Sequence, residues 1–137
     1  MTIKHPVLVY GTLRPGCGNY QWALRGRTVQ EKDVNLDGFD MYSNHGFPFL
    51  IPGEGNVVAT LIHVEEDAYT EVISDLDSLE GFHGEGSVTN LYDRILHTFE
   101  VDGEKVQAWL YIPEISVQQR VKATLPVVES GDWLNRF

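Results

Sequence analysis

Residues 92–112 read YDRILHTFEVDGEKVQAWLYI. Tyr92–Val101 and Lys105–Ile112 are rich in β-branched and aromatic residues, and Asp102-Gly103 lies in the gap between them. Asp-Gly suits the positive φ angles of a tight hairpin turn, so the stretch is predicted to be two antiparallel strands. Such a pair speaks against a simple alternation of strand and helix around a parallel sheet. Working outward, Val57–Val64 reads as another strand, and Val7-Leu8-Val9-Tyr10 as a buried one ended by Gly11. Asp67–Leu79 reads as an amphipathic helix: Val72, Leu76 and Leu79 recur at spacings of four and three, with Ile73 beside them. Glu65, Glu66 and Asp67 favour its N-terminal end, and Gly81 stops it.

The remaining segments are less regular. Thr28–Val34 and Leu36–Tyr42 carry strand-like content broken by polar residues, and Ser43–Gly55, with its prolines and glycines, reads as irregular. Asn19 is placed to cap a short helix over Tyr20–Leu24. Gly81–Asn90 reads as a loop and Ile115–Ala123 as a helix after Pro113. Strands outnumber helices, and the fold class expected is α+β: a small, mostly antiparallel β-barrel with flanking helices, spanning 1–137 as a single domain.

The chain has 137 residues, with 20 acidic and 10 basic side chains and a formal net charge of −10. That balance argues against nucleic acid and against an anionic membrane surface, both of which need clustered Lys and Arg. One cysteine, Cys17, excludes an intramolecular disulfide and a Cys-based zinc site, and its thiol reads as a bystander. No apolar run is long enough to span a membrane. Val7–Thr12 is too short for a signal-peptide core, so the expected compartment is the cytoplasm.

Dinucleotide, P-loop, zincin and nucleophile-elbow signatures are all missing, and His5, His45, His63, His83 and His97 show no ligand spacing, so no cofactor and no metal are expected. Two local features stand out. In Tyr10-Gly11-Thr12-Leu13-Arg14 a strand runs straight into a glycine, either an ordinary strand-end turn or a cradle of backbone N–H groups for an anion or oxyanion. Glu80, at the end of the amphipathic helix, shares the side of Ile73 and Leu76, whereas Asp75, Asp77 and Ser78 are expected further round toward solvent. A core-side carboxylate must be paired, bound to ligand or neutralised, which makes Glu80 a general acid/base candidate unless it bends out to water.

With these residues in view, Val7–Arg14 resembles a signature of the γ-glutamylcyclotransferase-like (AIG2-like) family. Leu76-Asp77-Ser78-Leu79-Glu80-Gly81-Phe82, followed by Leu91-Tyr92-Asp93-Arg94, is similar to that family's second signature. His45-Gly46-Phe47-Pro48, Val106–Tyr111 and Ser130-Gly131-Asp132-Trp133 resemble further family segments in order. The resemblance implies a barrel with a cavity at one end and cofactor-independent release of a γ-glutamyl group as 5-oxoproline. It implies Glu80 as the acid/base, Tyr10, Gly11, Thr12 and Leu13 as the loop holding the glutamyl head, Phe47 and Pro48 at the pocket wall, and Tyr92 and Tyr111 along the cavity. Arg14 takes the family's usual basic position. Ala59 and Thr60 depart from the family's glycine and acid, and Phe82–Asn90 is longer than in its shortest members. The implied partner is a small γ-glutamyl molecule of open leaving group, and oligomeric state stays open. The alternative is a non-catalytic domain of the same fold that binds a small molecule or a protein.

Overall fold

The computed structural model describes residues 4–44, 47–84, 87, 90 and 92–135. Its β5 (Glu104–Pro113) and β4 (Tyr92–Val101) form the hairpin read from the sequence. Val101 pairs with Glu104, and the two residues between them turn with φ of 53° at Asp102 and 83° at Gly103. Both positive angles mark the turn whose twist suits a two-residue hairpin.

β1 (Val7–Val9) lies at the centre of a five-stranded sheet of order β2-β3-β1-β5-β4. It runs antiparallel to β3 (Phe47–Val64), with Leu8 opposite Leu61, and parallel to β5, with Leu8 opposite Leu110. β2 (Thr28–Asn44) pairs with β3 along almost its whole length. The segment Ser43–Gly55, expected to be irregular, is therefore largely strand: Ser43 pairs with Pro48 and Phe39 with Pro52. The prolines are tolerated because β1 reaches only Thr60–Ile62 of β3, so the first half of β3 has a sheet edge on one side. Gly53 and Gly55 lie against the Asp40 carboxylate, where a Cβ has no room.

The two faces of β1 build two cores, as side-chain alternation along a strand requires. Leu8 and Tyr10 join Leu36, Met41, Leu110 and Trp133 on the concave face. Val7 and Val9 join Ile62, Val72, Leu76 and Val121 on the other, under the helices. The edge strands approach across the concave core, where the Phe39 and His97 rings meet edge-on at 5.1 Å. Among the described residues β2 and β4 do not pair, so the sheet is curled like a barrel but closed by side chains rather than hydrogen bonds.

The main helix α2 (Tyr69–Glu80) follows a short 3-10 turn, Glu66–Ala68. Gly81 ends it at φ 69°, and the Phe82 amide donates to the Asp77 carbonyl at 2.9 Å. α1 is Gly18–Ala23 with Cys17 rather than Asn19 at its N-cap, and α3 is Ile115–Thr124. The C-terminal segment docks by backbone, the Val128 amide donating to Met41 and the Val58 amide to Gly131, each at 2.7 Å. No described helix is long and apolar enough to cross a membrane.

Candidate active site

Where β1 ends, a cavity of about 350 Å³ opens between the following turn and the last turn of α2. Tyr10, Gly11, Thr12, Leu13, Phe47, Pro48, Glu80, Tyr92 and Tyr111 all line it, together with Leu8, Val9, Asn19 and Leu79. His45, Gly46, Glu85 and Leu91 lie outside the described residues.

The turn is built by local hydrogen bonds. The Arg14 amide donates to Gly11 at 3.0 Å and the Tyr20 amide to Thr12 at 3.3 Å. Among the described residues, the Thr12 and Leu13 amides donate to no other backbone group, and both residues line the cavity. Gly11 is a glycine for space rather than for φ. A Cβ there would fall 2.6 Å from the Pro48 ring, so β3 packs directly onto the turn. Asn19, expected as a helix cap, instead donates its amide to the Thr12 hydroxyl at 2.6 Å and fixes that side chain at the cavity wall.

Glu80 is the last residue of α2, and Gly81 turns the chain away directly after it. Burial pushes its carboxyl from an ordinary 4.5 up to about 7. Burial, and to a lesser extent the Glu80 charge, raises the Tyr10, Tyr92 and Tyr111 hydroxyls above their ordinary values, so all three phenols stay protonated. The Tyr10 hydroxyl donates to the Tyr111 backbone carbonyl at 2.7 Å. Tyr92 stacks on Phe49 at 5.7 Å. The cavity floor is thus phenolic and buried, while Phe47 and Leu79, 41% and 38% exposed, form its rim. The sequence spacing puts Leu79 on the core face, but it lies at the mouth, beyond the Val72–Leu76 stripe.

Asp77 departs from expectation, and Arg14 takes a direction that the sequence left open. Asp77 does not face solvent. Its carboxylate accepts from the Tyr111 hydroxyl at 2.6 Å and from Arg94 Nη1 at 3.0 Å, and its side chain is 23% exposed. The spacing contained the signal: Asp77 stands four residues after the half-buried Ile73 and three before Glu80, on one helix face. Arg14 is buried but turned away from the cavity. It donates to Asp132 Oδ1 at 2.6 Å and to Thr60 Oγ1 at 3.1 Å, with Asp33 3.5 Å away. Thr60 therefore belongs to the Arg14 cluster, and neither it nor Ala59 lines the cavity.

Together these features define a class: mostly antiparallel α+β proteins with a cavity that a half-buried carboxyl and a glycine turn both line. The family model described as gamma-glutamyl cyclotransferase, AIG2-like, matches residues 7–135, and the chain belongs to that family. It is 30% identical over 130 residues to the gamma-glutamylcyclotransferase family protein YtfP of Escherichia coli K12, covering 95% of this chain and 96% of that one. It is also 28% identical to the gamma-L-glutamyl-butirosin B gamma-glutamyl cyclotransferase of Niallia circulans, over 77% of this chain and 65% of that protein. The solution structure of ytfP from Escherichia coli superposes with a TM-score of 0.59 at 28% identity, covering 96% of this chain and 97% of that one.

Proposed function

We propose that the protein is a cofactor-independent γ-glutamylcyclotransferase of the cytoplasm that releases 5-oxoproline from a small γ-glutamyl amine or amide. The observation that carries this reading is the placement of Glu80, its carboxyl raised to about 7, in one cavity with the Gly11–Leu13 turn. The substrate brings its own nucleophile, so the enzyme has only to fold the glutamyl head and move protons. Holding amine and carbonyl of one molecule in a near-attack pose is worth roughly 7–11 kcal/mol.

In the proposed step the Glu80 carboxylate removes a proton from the substrate α-ammonium. The freed amine attacks the γ-carbonyl, closing the five-membered ring, and the oxyanion lies toward the Thr12 and Leu13 amides. Glu80 returns its proton to the leaving nitrogen as the bond from the γ-carbon to it breaks, and the second proton of the former ammonium, still on the ring nitrogen, then passes through Glu80 to the freed amine, which leaves as an ammonium beside 5-oxoproline. Nothing is oxidised or reduced and no water is consumed. A carboxyl near pH 7 suits both halves, since it is neither too weak to accept nor too weak to give. The matching family and the cyclotransferase named in Niallia circulans support the reaction class.

The test is Glu80→Gln assayed for 5-oxoproline release across a panel of γ-glutamyl compounds. Gln keeps the volume but cannot take up and return the proton. Turnover is expected to fall about 10²–10⁴-fold with the melting temperature at neutral pH no lower than wild type. Wild-type turnover in the variant removes Glu80 from the reaction, and a wild type silent on the whole panel leaves a binding domain.

A further inference from the structure

Tyr111 is held at both ends. Its backbone carbonyl accepts the Tyr10 hydroxyl at 2.7 Å, and its own hydroxyl donates to Asp77 Oδ1 at 2.6 Å. A phenol has one proton to give, and here that proton is committed away from the cavity. What the Tyr111 oxygen offers a ligand is lone pairs alone, and Tyr111 lines the cavity with Glu80. Asp77 is itself fixed. Arg94 Nη1 lies 3.0 and 3.2 Å from its two oxygens, and the guanidinium rests over the Trp109 ring at 4.6 Å and the Phe82 ring at 5.1 Å. The stack Trp109–Arg94–Asp77–Tyr111 thus runs from the outer face of β5 to the cavity and sets the direction of a single hydroxyl.

Resting on the cyclotransferase reading, we propose that Asp77 is a positioning residue which, by taking the Tyr111 proton, turns the Tyr111 oxygen into an acceptor for the substrate α-ammonium. The ammonium has three N–H groups to place. Glu80 takes the one that is transferred, and an acceptor-only oxygen beside it takes a second and sets the direction of the nitrogen lone pair once the proton has left. A hydroxyl free to rotate would instead be able to present its own proton to that nitrogen and compete with the attack. Asp77 touches no substrate in this scheme and acts only through Tyr111.

The experiment uses a matched pair of ligands, L-glutamine and glutaramate, identical except for the α-ammonium, titrated by calorimetry into the full-length protein. Wild type is expected to bind L-glutamine more tightly. Asp77→Ala and Tyr111→Phe are each expected to weaken L-glutamine about tenfold, the scale of one hydrogen bond to a charged group, and to leave glutaramate within about twofold. The double variant is expected to match Tyr111→Phe alone, because Asp77 has nothing further to act on. Asp77→Asn, whose side-chain oxygen can still accept from the phenol, is expected to recover most of the L-glutamine affinity. Equal loss of both ligands in Asp77→Ala, full additivity in the double variant, or no recovery in Asp77→Asn overturns the inference while leaving the cyclotransferase reading intact. A wild type that binds neither ligand overturns both.

Discussion

Two polar regions lie on either side of the turn after β1, and they use buried charge in opposite ways. At Arg14, 3% exposed, a guanidinium meets Asp132, Asp33 and the Thr60 hydroxyl, and the Thr60 hydroxyl in turn donates to Asp33 at 2.7 Å. At Glu80 a half-buried carboxyl stands among phenols, and its desolvation is what lifts it to about 7. The first arrangement satisfies its charges and locks the N-terminal turn to the C-terminal segment. The second leaves a proton equilibrium balanced near neutrality. Buried charge that is matched serves architecture, and a buried acid that is easily neutralised is available for chemistry.

The comparison breaks if the two regions exchange roles under mutation. Arg14→Ala removes the buried guanidinium that joins Asp132 to Thr60, and removing one partner of a buried pair typically costs about 3–5 kcal/mol. Urea denaturation is expected to show a loss of that order, while 5-oxoproline release per folded molecule stays within a few-fold. A fully stable but inactive Arg14→Ala would move the basic residue into the chemistry.

Glu80→Gln carries the opposite expectation for stability. A carboxyl raised in the folded state binds more protons there than in the unfolded chain between about pH 4.5 and 7. Folding stability from this group is therefore greatest at low pH, falls as pH rises through that window, and is level above it. At pH 8 the Gln variant is expected to be more stable than wild type by roughly 1–3 kcal/mol, with the gap closing by pH 4.5. Parallel melts across pH check this, and a gap that does not change with pH contradicts the raised carboxyl.

Smaller effects sharpen the same boundary. Gly11→Ala drives a methyl group into the Pro48 ring and is expected to cost roughly 1–3 kcal/mol, the usual range for overpacking, with turnover reduced because the Thr12 and Leu13 amides shift. Tyr10→Phe removes one buried hydrogen bond to the Tyr111 carbonyl. About 1 kcal/mol of stability and roughly a tenfold loss in kcat/KM are expected, and unchanged kinetics would assign Tyr10 to packing alone.

How far these features were legible in the sequence follows from how local their causes are. The Asp102-Gly103 hairpin, the Val72–Leu76 stripe and the glycine stop after Glu80 are each written within a few residues of themselves. The strand through Ser43–Gly55 was hidden because Pro48, Pro52, Gly53 and Gly55 oppose it locally, and only the long pairing with β2 and an edge on the other side make it a strand. Every residue assigned to the cavity from the family resemblance is in its lining, yet Asn19 reads from the sequence as a cap and Asp77 as a solvent-facing residue. Both owe their positions to partners distant in the chain or across a turn, Thr12 for one and Arg94 with Tyr111 for the other. Arg14 was visible as a basic residue but not its direction, because Asp132 stands at the far end of the chain.

The central strand β1 is synthesised well before its parallel neighbour β5. Val7 must wait for Trp109, and Arg14 waits longer still, for Asp132. Contacts of such sequence separation make a topology slow to assemble, since the loop between the partners has to close before they gain anything. During synthesis the turn that carries Gly11–Leu13 is therefore a nascent segment without its wall at Tyr111 and without its anchor at Asp132, and a chain stopped short of β5 has no cavity to show. The cavity with its Tyr111 wall is thus a property of the chain through β5, and no shorter N-terminal piece carries it.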